Sequence, residues 1–427
     1  MNTLQLAKQI REGNLDSHFA ALYGKMCVPA ARTRYGKALA EFASLYGAER
    51  EVALFSVPGR SEISGNHTDH NRGCVIAASI DLDIIAIAAA REDGLIHLKS
   101  VGFPEDTVDL NTYTSPRPER FSHSDAIIAG MCQGLRERGF ATGGFDAYTT
   151  SDILKGSGLS SSAAFEVMIG NIENHLYNGG RVENTEIAKI AQYAENVFFG
   201  KPCGLMDQMA CALGGIIAID FADSQSPVVE QLSFDLTAAG FSLCIVDTGG
   251  NHADLTPDYA AIPAEMKAVA SALGRSVLRE VDECEFRAAI PSLRAQLGDR
   301  AILRAWHFFA ENKRVGALKQ ALAAHDLPRF LDLISASGLS SFRFLQNVYS
   351  PRNPAEQGVS LALCVAEDFL ATRGGVCRVH GGGFAGTIQA FVPHAHTAEF
   401  CSLMDSVLGH GACMPLQVRP EGAVRIA

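Results

Sequence analysis

The stretch Lys155-Gly156-Ser157-Gly158-Leu159-Ser160-Ser161-Ser162-Ala163-Ala164 runs without a break into Phe165, after which Phe165, Met168, Ile169 and Ile172 fall at i, i+3, i+4 and i+7. That spacing predicts an amphipathic helix starting at Ser160. A glycine-rich turn feeding a helix N-terminus offers unpaired backbone N–H groups and the positive dipole end to an anion. Three serines add hydroxyl donors, and a serine oxygen also suits Mg²⁺. The plain alternative is a serine N-cap on an ordinary helix, but three serines exceed what one cap needs. The loop is not of the Walker type, because no Gly-Lys-Ser/Thr follows.

Three further segments carry chemistry. The first is Pro58-Gly59-Arg60-Ser61-Glu62-Ile63-Ser64-Gly65-Asn66-His67-Thr68-Asp69-His70-Asn71-Arg72-Gly73. Its density of hydrogen-bonding groups suits a polyhydroxylated ligand: Asp69 accepts two hydroxyl hydrogen bonds, and Asn66 and His67 serve a third. A solvated surface loop and a metal site on His67, Asp69 and His70 are the alternatives. The second is Gly200-Lys201-Pro202-Cys203-Gly204-Leu205-Met206-Asp207-Gln208. Asp207 stands among apolar neighbours, so it needs a partner or its pKa rises; a cation such as Arg60 would keep it ionised. Glu195, twelve residues earlier, either reaches a metal or faces solvent. The third, His380-Gly381-Gly382-Gly383-Phe384-Ala385-Gly386, contains G-x-G-x-x-G but no following βαβ unit. It reads as a turn that lets backbone approach a ligand or another loop, or as a structural hairpin.

The rest of the chain bounds the answer. The 427 residues are 47% apolar and 19% charged, enough for a large core and against disorder. The net charge of −11 argues against non-specific nucleic-acid binding. No uncharged apolar run reaches the roughly 18–20 residues of a membrane helix, since Asp81 and Asp83 interrupt the nearest, at 74–90. Residues 1–16 lack the apolar core of a signal peptide. The 11 cysteines form no C-x-x-C pair and read as reduced thiols of a cytoplasmic protein. Strand signals occupy 51–57 (ending at Pro58-Gly59), 84–89, 95–101, 215–220 and 242–247. Helical periodicity covers 125–138, 184–198, 260–273, 301–324 and 357–372, and two apolar runs bracket a glycine turn over 376–392. Turn chemistry at 223–228 suggests a boundary, dividing the chain into 1–225 and 226–427.

Taken in order, these segments resemble the GHMP kinase superfamily and, within it, the galactokinases. Residues 59–73 are similar to the galactokinase signature, 156–163 to the superfamily phosphate loop, 203–208 to the Cys-Gly-Ile-Met-Asp-Gln stretch, and 381–386 to the third glycine motif. Weaker likenesses lie at 304–315, with His307, Glu311 and Asn312, and at 340–343. The likeness covers about 51–392 and leaves the first 40 residues unplaced. It implies a two-lobed α+β fold with mixed and antiparallel sheets and the active site between the lobes. It also implies ATP- and Mg²⁺-dependent phosphorylation of the anomeric hydroxyl of D-galactose, with no nucleic-acid or membrane partner.

Residue by residue, the resemblance makes Asp207 the group that orients or deprotonates the hydroxyl, with Arg60 beside it. Asn66, His67, Asp69, Gly204 and Tyr259 would bind the sugar. Gly156, Ser157, Gly158, Leu159, Ser160, Ser161 and Ser162 would cradle the phosphates, and Ser162 and Glu195 would hold Mg²⁺. The chain departs from the family pattern at several points. Asn66 replaces a sugar-contacting glutamate, Ser61-Glu62-Ile63-Ser64 replaces an apolar stretch, and His70 replaces a tyrosine. Leu154-Lys155 precedes Gly156, Ala385 takes a glycine position, and no arginine pair follows Tyr259. The departure at Asn66 motivates a second reading, a kinase for the 1-hydroxyl of an amino sugar, a pentose or a uronic acid. A reading from another class is a non-catalytic sensor of galactose and ATP.

Overall fold

Alternate residues of two long paired strands feed two different cores. The computed structural model describes residues 1–153, 158–224, 226–250 and 255–427. Strand β1 (Ala53–Ser64) pairs antiparallel with β2 (Cys74–Arg91). Phe55, Val57, Ala86 and Ala88 face one core, while Leu54, Ile85, Ile87 and Ala89 face another. The apolar run at 84–89 is thus explained: both faces are covered, so neither can be polar.

β3 (Leu95–Ser100) pairs antiparallel with β4 (Glu105–Asp109) and parallel with β5 (Gly144–Ser151), which in turn lies against the end of β2. β6 (Ile216–Asp220) pairs with the start of β2 and with β7 (Val228–Leu232). A second, antiparallel sheet comprises β8 (Phe241–Asp247), β9 (Val376–Val379), β10 (Thr387–Pro393) and β11 (Cys413–Leu416), in the order β11-β8-β10-β9. The chain then returns to the first sheet, where β12 (Val424–Arg425) pairs with β1. One parallel pair among antiparallel ones makes the large sheet mixed.

Helices Ser124–Glu137, Ser161–Tyr177, Asn184–Tyr193 and Met206–Leu213 cover one face of the large sheet. The other face is covered by three N-terminal helices, Thr3–Glu12, Asp16–Tyr23 and Val28–Tyr46, which bury Phe19, Tyr35 and Phe42. The second sheet buries Cys244 and Val246 under helices Gly358–Leu370 and Thr397–Leu408. Helices Thr256–Ala272, Glu283–Leu297 and Asp299–Ala323 build a further core.

One expectation needs correction. The strand expected at 51–57 does not stop at Pro58-Gly59; β1 continues to Ser64, crossing the dipeptide with a register shift between Pro58 and Arg60. A bulge is where a strand tolerates proline. Glycine is required there by proximity, since a Cβ on Gly59 would lie 2.8 Å from Leu159 O. Residues 60–64 of the expected loop are therefore strand. The turn chemistry at 223–228 falls between β6 and β7, which pair with each other in the large sheet.

Candidate active site

Asp207 lies in the first turn of the helix Met206–Leu213, where the helix dipole favours a carboxylate. Arg60, on β1, meets it with two parallel hydrogen bonds: Nε to Oδ1 at 2.7 Å and Nη2 to Oδ2 at 2.6 Å. Charge-assisted, two-pronged pairs of this kind are the strong ones. Arg60 Nη1 also donates to Gly158 O, and Ser160 Oγ donates to Asp207 Oδ2. Burial pushes the Asp207 carboxyl up, but the Arg60 charge and hydrogen bonds, with Ser160, outweigh it and hold the group below the usual carboxylate range. Of the Asp207 side chain, 32% remains open to a cavity of about 220 Å³.

Ser160 has a left-handed φ of 58° and makes no capping bond, so the helix begins at Ser161. The plain N-cap reading of the serines fails here, because the hydroxyl is spent on Asp207. The turn is anchored by Arg60 N donating to Leu159 O at 3.1 Å. Ser161 and Ser162 open the helix, whose first-turn N–H groups have no intrahelical acceptor. Gly158 and Leu159 lie within the described turn; the expected phosphate-loop residues Gly156 and Ser157 lie outside the described residues.

Ser162 and Glu195 line the same cavity. Glu195 sits on the π-helical turn Ala194–Phe198 and is 3% exposed, so it does not face bulk solvent. Its Oε1 accepts from Lys201 Nζ at 2.9 Å and its Oε2 from Gln208 Nε2 at 3.0 Å. Gln208 Nε2 also reaches Glu166 Oε2 at 3.0 Å. Glu166 is buried, and its Oε1 has no partner. Burial first, then the neighbouring Glu195 charge, raises the Glu166 carboxyl. Glu195 and Ser162 on the cavity wall, with the orphaned oxygen of Glu166 joined to Glu195 through Gln208, are oxygen donors of the kind a hard divalent cation takes.

The loop after β1 supplies the opposite wall. His67 Nε2–H donates to Gly382 O at 2.9 Å, and burial pushes the ring down to about 4, so it is neutral near pH 7. Asp69 faces Gly204 across the cavity mouth; a Cβ on Gly204 would lie 2.5 Å from Asp69 Oδ2. His67, Asp69 and Gly204 line the cavity with Arg60 and Asp207. The metal alternative for His67, Asp69 and His70 is not supported. Among the described residues, the one group of such side chains close enough for a shared ion is Cys244, Cys401 and Cys413.

Asn66 lines the cavity but is 0% exposed and fully engaged. Its Nδ2 donates to Glu62 Oε1 at 2.9 Å and to Gly381 O at 2.6 Å. Its Oδ1 accepts from Asn347 Nδ2 at 2.8 Å and Ser341 Oγ at 3.3 Å. Tyr259 does not line the cavity among the described residues. Its hydroxyl donates to Gly383 O at 2.7 Å, bracing the glycine turn between β9 and β10 from beneath. That turn is tied to β1 through His380, whose Nε2 accepts from Glu62 N at 3.3 Å while Nδ1–H donates to Thr387 Oγ1 at 2.8 Å.

Sequence reasoning passed over Glu166 at this site. Glu166 interrupts the otherwise apolar run Ala163-Ala164-Phe165-Glu166-Val167-Met168, a signal that was available. Glu311 is buried, accepts from Ser64 Oγ at 2.8 Å and Gly65 N at 3.1 Å, and pairs with Arg314. His307 Nε2–H donates to Asn66 O at 3.0 Å. These two hold the loop from behind; they lie in the stretch 304–315 that the family likeness picks out without giving it a role.

Residues 40–90 match the model of the galactokinase galactose-binding signature, and residues 126–215 that of the GHMP kinases N terminal domain. The galactokinase of Streptomyces coelicolor is 32% identical over 357 residues, which cover 83% of this chain and 88% of that protein. The galactokinase of Actinobacillus pleuropneumoniae serotype 3 is 30% identical over 360 residues, with 83% and 88% covered. The solved structure of Lactococcus lactis galactokinase complexed with galactose superposes with a TM-score of 0.76 at 26% identity, covering 90% of this chain and 98% of that one. Methanococcus jannaschii mevalonate kinase shares the fold, with a TM-score of 0.60 at 14% identity and 86% and 98% covered.

Proposed function

This chain belongs to the galactokinase family, and we propose on that premise that it transfers the γ-phosphoryl group of ATP to the anomeric hydroxyl of D-galactose. The observation that carries the reading is the Arg60–Asp207 pair, set on the cavity wall against the N-terminus of the helix Ser161–Tyr177. An ionised acceptor beside an anion-binding helix end is what phosphoryl transfer to a hydroxyl requires.

In the reaction the sugar O1 forms a bond to the γ-phosphorus and the bond to the bridging oxygen of ADP breaks. Asp207 accepts the hydrogen bond of the C1 hydroxyl and so aims the oxygen. Because Arg60 holds its carboxyl low, Asp207 is a weak base towards the free hydroxyl. It takes the proton only as the O1–P bond forms and the hydroxyl turns acidic. Arg60 keeps Asp207 ionised and faces the charge on the transferred group. Backbone N–H groups of the turn and of the first helical residues hold the phosphates, with Gly156 and Ser157 assigned to the same cradle by the family likeness. Ser162 and Glu195 would hold Mg²⁺, with Glu166 as a further oxygen donor. When bound, the ion would supply neutralisation of the phosphate charge.

His67, Asp69 and Gly204 are assigned to the sugar. Tyr259 is assigned to the glycine turn rather than to the ligand. The lobes 1–225 and 226–427 are kept as a working division, with β7 and β12 completing the first sheet. Among the described residues no helix is long and apolar enough to cross a membrane; the cytoplasm, with its ATP and reduced thiols, is the compartment assigned.

The test is ADP release with Mg-ATP over a sugar panel led by D-galactose. Turnover on galactose that Asp207→Asn abolishes while keeping the wild-type melting curve is the expected result. Undiminished turnover in Asp207→Asn would remove the proposed role. Turnover confined to an amino sugar, pentose or uronic acid would favour the second reading, which the Asn66 departure motivates.

A further inference from the structure

The side chain at position 66 has no hydrogen-bonding capacity left for a ligand. Both amide hydrogens of Asn66 are donated inside the protein, to Glu62 Oε1 and Gly381 O, and its oxygen takes two donors. The carboxylate next to it is Glu62, four residues earlier, on β1. Glu62 lines the same cavity and is only 6% exposed. Its two oxygens are unequal. Oε1 is saturated by Asn66 Nδ2 at 2.9 Å and Arg378 Nη2 at 3.3 Å, whereas Oε2 makes no hydrogen bond. Oε2 is also not sealed from the cavity space.

A buried carboxylate oxygen left without a donor is costly unless a ligand supplies one. The surroundings keep the group in place: Arg378, itself buried, anchors to Ile63 O at 2.8 Å, and Glu62 N–H is fixed on His380 Nε2. The acid is therefore rigid, charge-compensated on one oxygen and open on the other. A sugar hydroxyl is the neutral donor that fits such an acceptor.

Resting on the galactokinase reading above, we propose that Glu62 is a sugar-binding, specificity-determining residue of this chain. Its Oε2 accepts a hydrogen bond from a hydroxyl remote from C1, and Asn66 serves only to hold that carboxylate. The pair Glu62–Asn66 sets one acid and one amide in contact, with the acid on the strand instead of in the loop. The departure at Asn66 then moves the acceptor without removing it.

The experiment compares wild type, Glu62→Gln, Asn66→Glu and the double variant Glu62→Asn/Asn66→Glu. Each is assayed on the sugar that the wild type turns over and on its singly deoxygenated analogues. Glu62→Gln should raise KM for the sugar about 10- to 100-fold, the range of a hydrogen bond to a charged group. KM for ATP should not move, and the penalty for deoxygenation should disappear at one ring position only. The double variant should recover at least tenfold of the lost kcat/KM, because the acid is restored on the other side of the pair. Asn66→Glu alone should be worse than the double variant, having two adjacent buried acids.

An unchanged sugar KM in Glu62→Gln overturns the proposal. So does an equal rise in the KM values for ATP and sugar, or a deoxygenation penalty that survives at every position. If Glu62→Gln misfolds by circular dichroism, the double variant decides: recovery supports the transposed acid and failure overturns it. Wild-type turnover on a sugar other than galactose would overturn the choice of galactose alone. Absence of turnover on every sugar would overturn both.

Discussion

At the scale of single residues, the site is governed by charges that set one another. Asp207 is enclosed enough that burial alone would raise its carboxyl, and Arg60 reverses the sign. In the wild type, loss of activity from protonating Asp207 therefore belongs below the ordinary carboxylate range. His67, pushed down to about 4, does not change charge near neutrality either. Between about pH 6 and 8 neither group titrates, and kcat/KM should carry no limb from them. Arg60→Met removes the main lowering cause and leaves burial opposed only by Ser160 and the more distant Lys201 charge. The acid limb of the residual kcat/KM should then move up by about 1 to 3 pH units, while the alkaline side stays where it was. A pH profile of Arg60→Met that differs from the wild type only in height would show that Asp207 does not shape the acid limb.

At the scale of elements, the cavity exists because two loops approach more closely than a side chain permits. Gly204 lies at the approach to the helix Met206–Leu213, and Asp69 lies in the loop after β1; a Cβ on Gly204 would meet Asp69 Oδ2 at 2.5 Å. Gly204 shows no left-handed φ, so alanine brings no backbone strain. The Asp69 carboxylate must swing away instead. Gly204→Ala should cost under about 1 kcal/mol in a urea titration yet raise KM for the sugar at least tenfold with ATP KM unchanged. Equal losses in both quantities would mean that the glycine serves packing and not the ligand.

Much of this arrangement was legible in the chain. Phe165, Met168, Ile169 and Ile172 announce their helix because a single buried face imposes a 3.6-residue period. Asp207 announces itself as a carboxylate among apolar residues. Pro58-Gly59 misled because a bulge lets turn residues pass through a strand. Glu166 escaped, and the roles of Glu62 and Glu311 went unread, because their meaning lies in partners brought close by topology, such as Arg378, 316 residues from Glu62. Local pattern carries no trace of such a pairing.

At the scale of the whole molecule, distant parts of the chain converge on Asp83. This side chain, 0% exposed, accepts from Arg34 Nη1 at 2.5 Å, Tyr23 OH at 2.5 Å and Arg419 Nη1 at 3.2 Å, and also from Ser56. Arg34 and Tyr23 come from the N-terminal helices, Ser56 from β1, and Arg419 from the tail that leads into β12. Burial pushes the Asp83 carboxyl up, but Arg34 and Arg419 outweigh it and hold it low. A depressed folded value means that the contribution is complete above the unfolded value of about 3.9 and is lost as pH falls through the folded one. Asp83→Asn leaves two inward-facing guanidinium groups without their shared counter-charge. Removing one partner of a buried pair costs about 3–5 kcal/mol, so at pH 7 the urea midpoint should fall by that equivalent. The gap to wild type should narrow as pH drops below 4, because the wild type loses the same carboxylate by protonation. Sugar and ATP KM values measured well below the melting point should not move, since Asp83 is not part of the cavity wall. A loss under about 1 kcal/mol, or a gap that stays constant down to low pH, would mean that the N-terminal helices and the C-terminal tail are held to the sheet by apolar packing and not by this carboxylate.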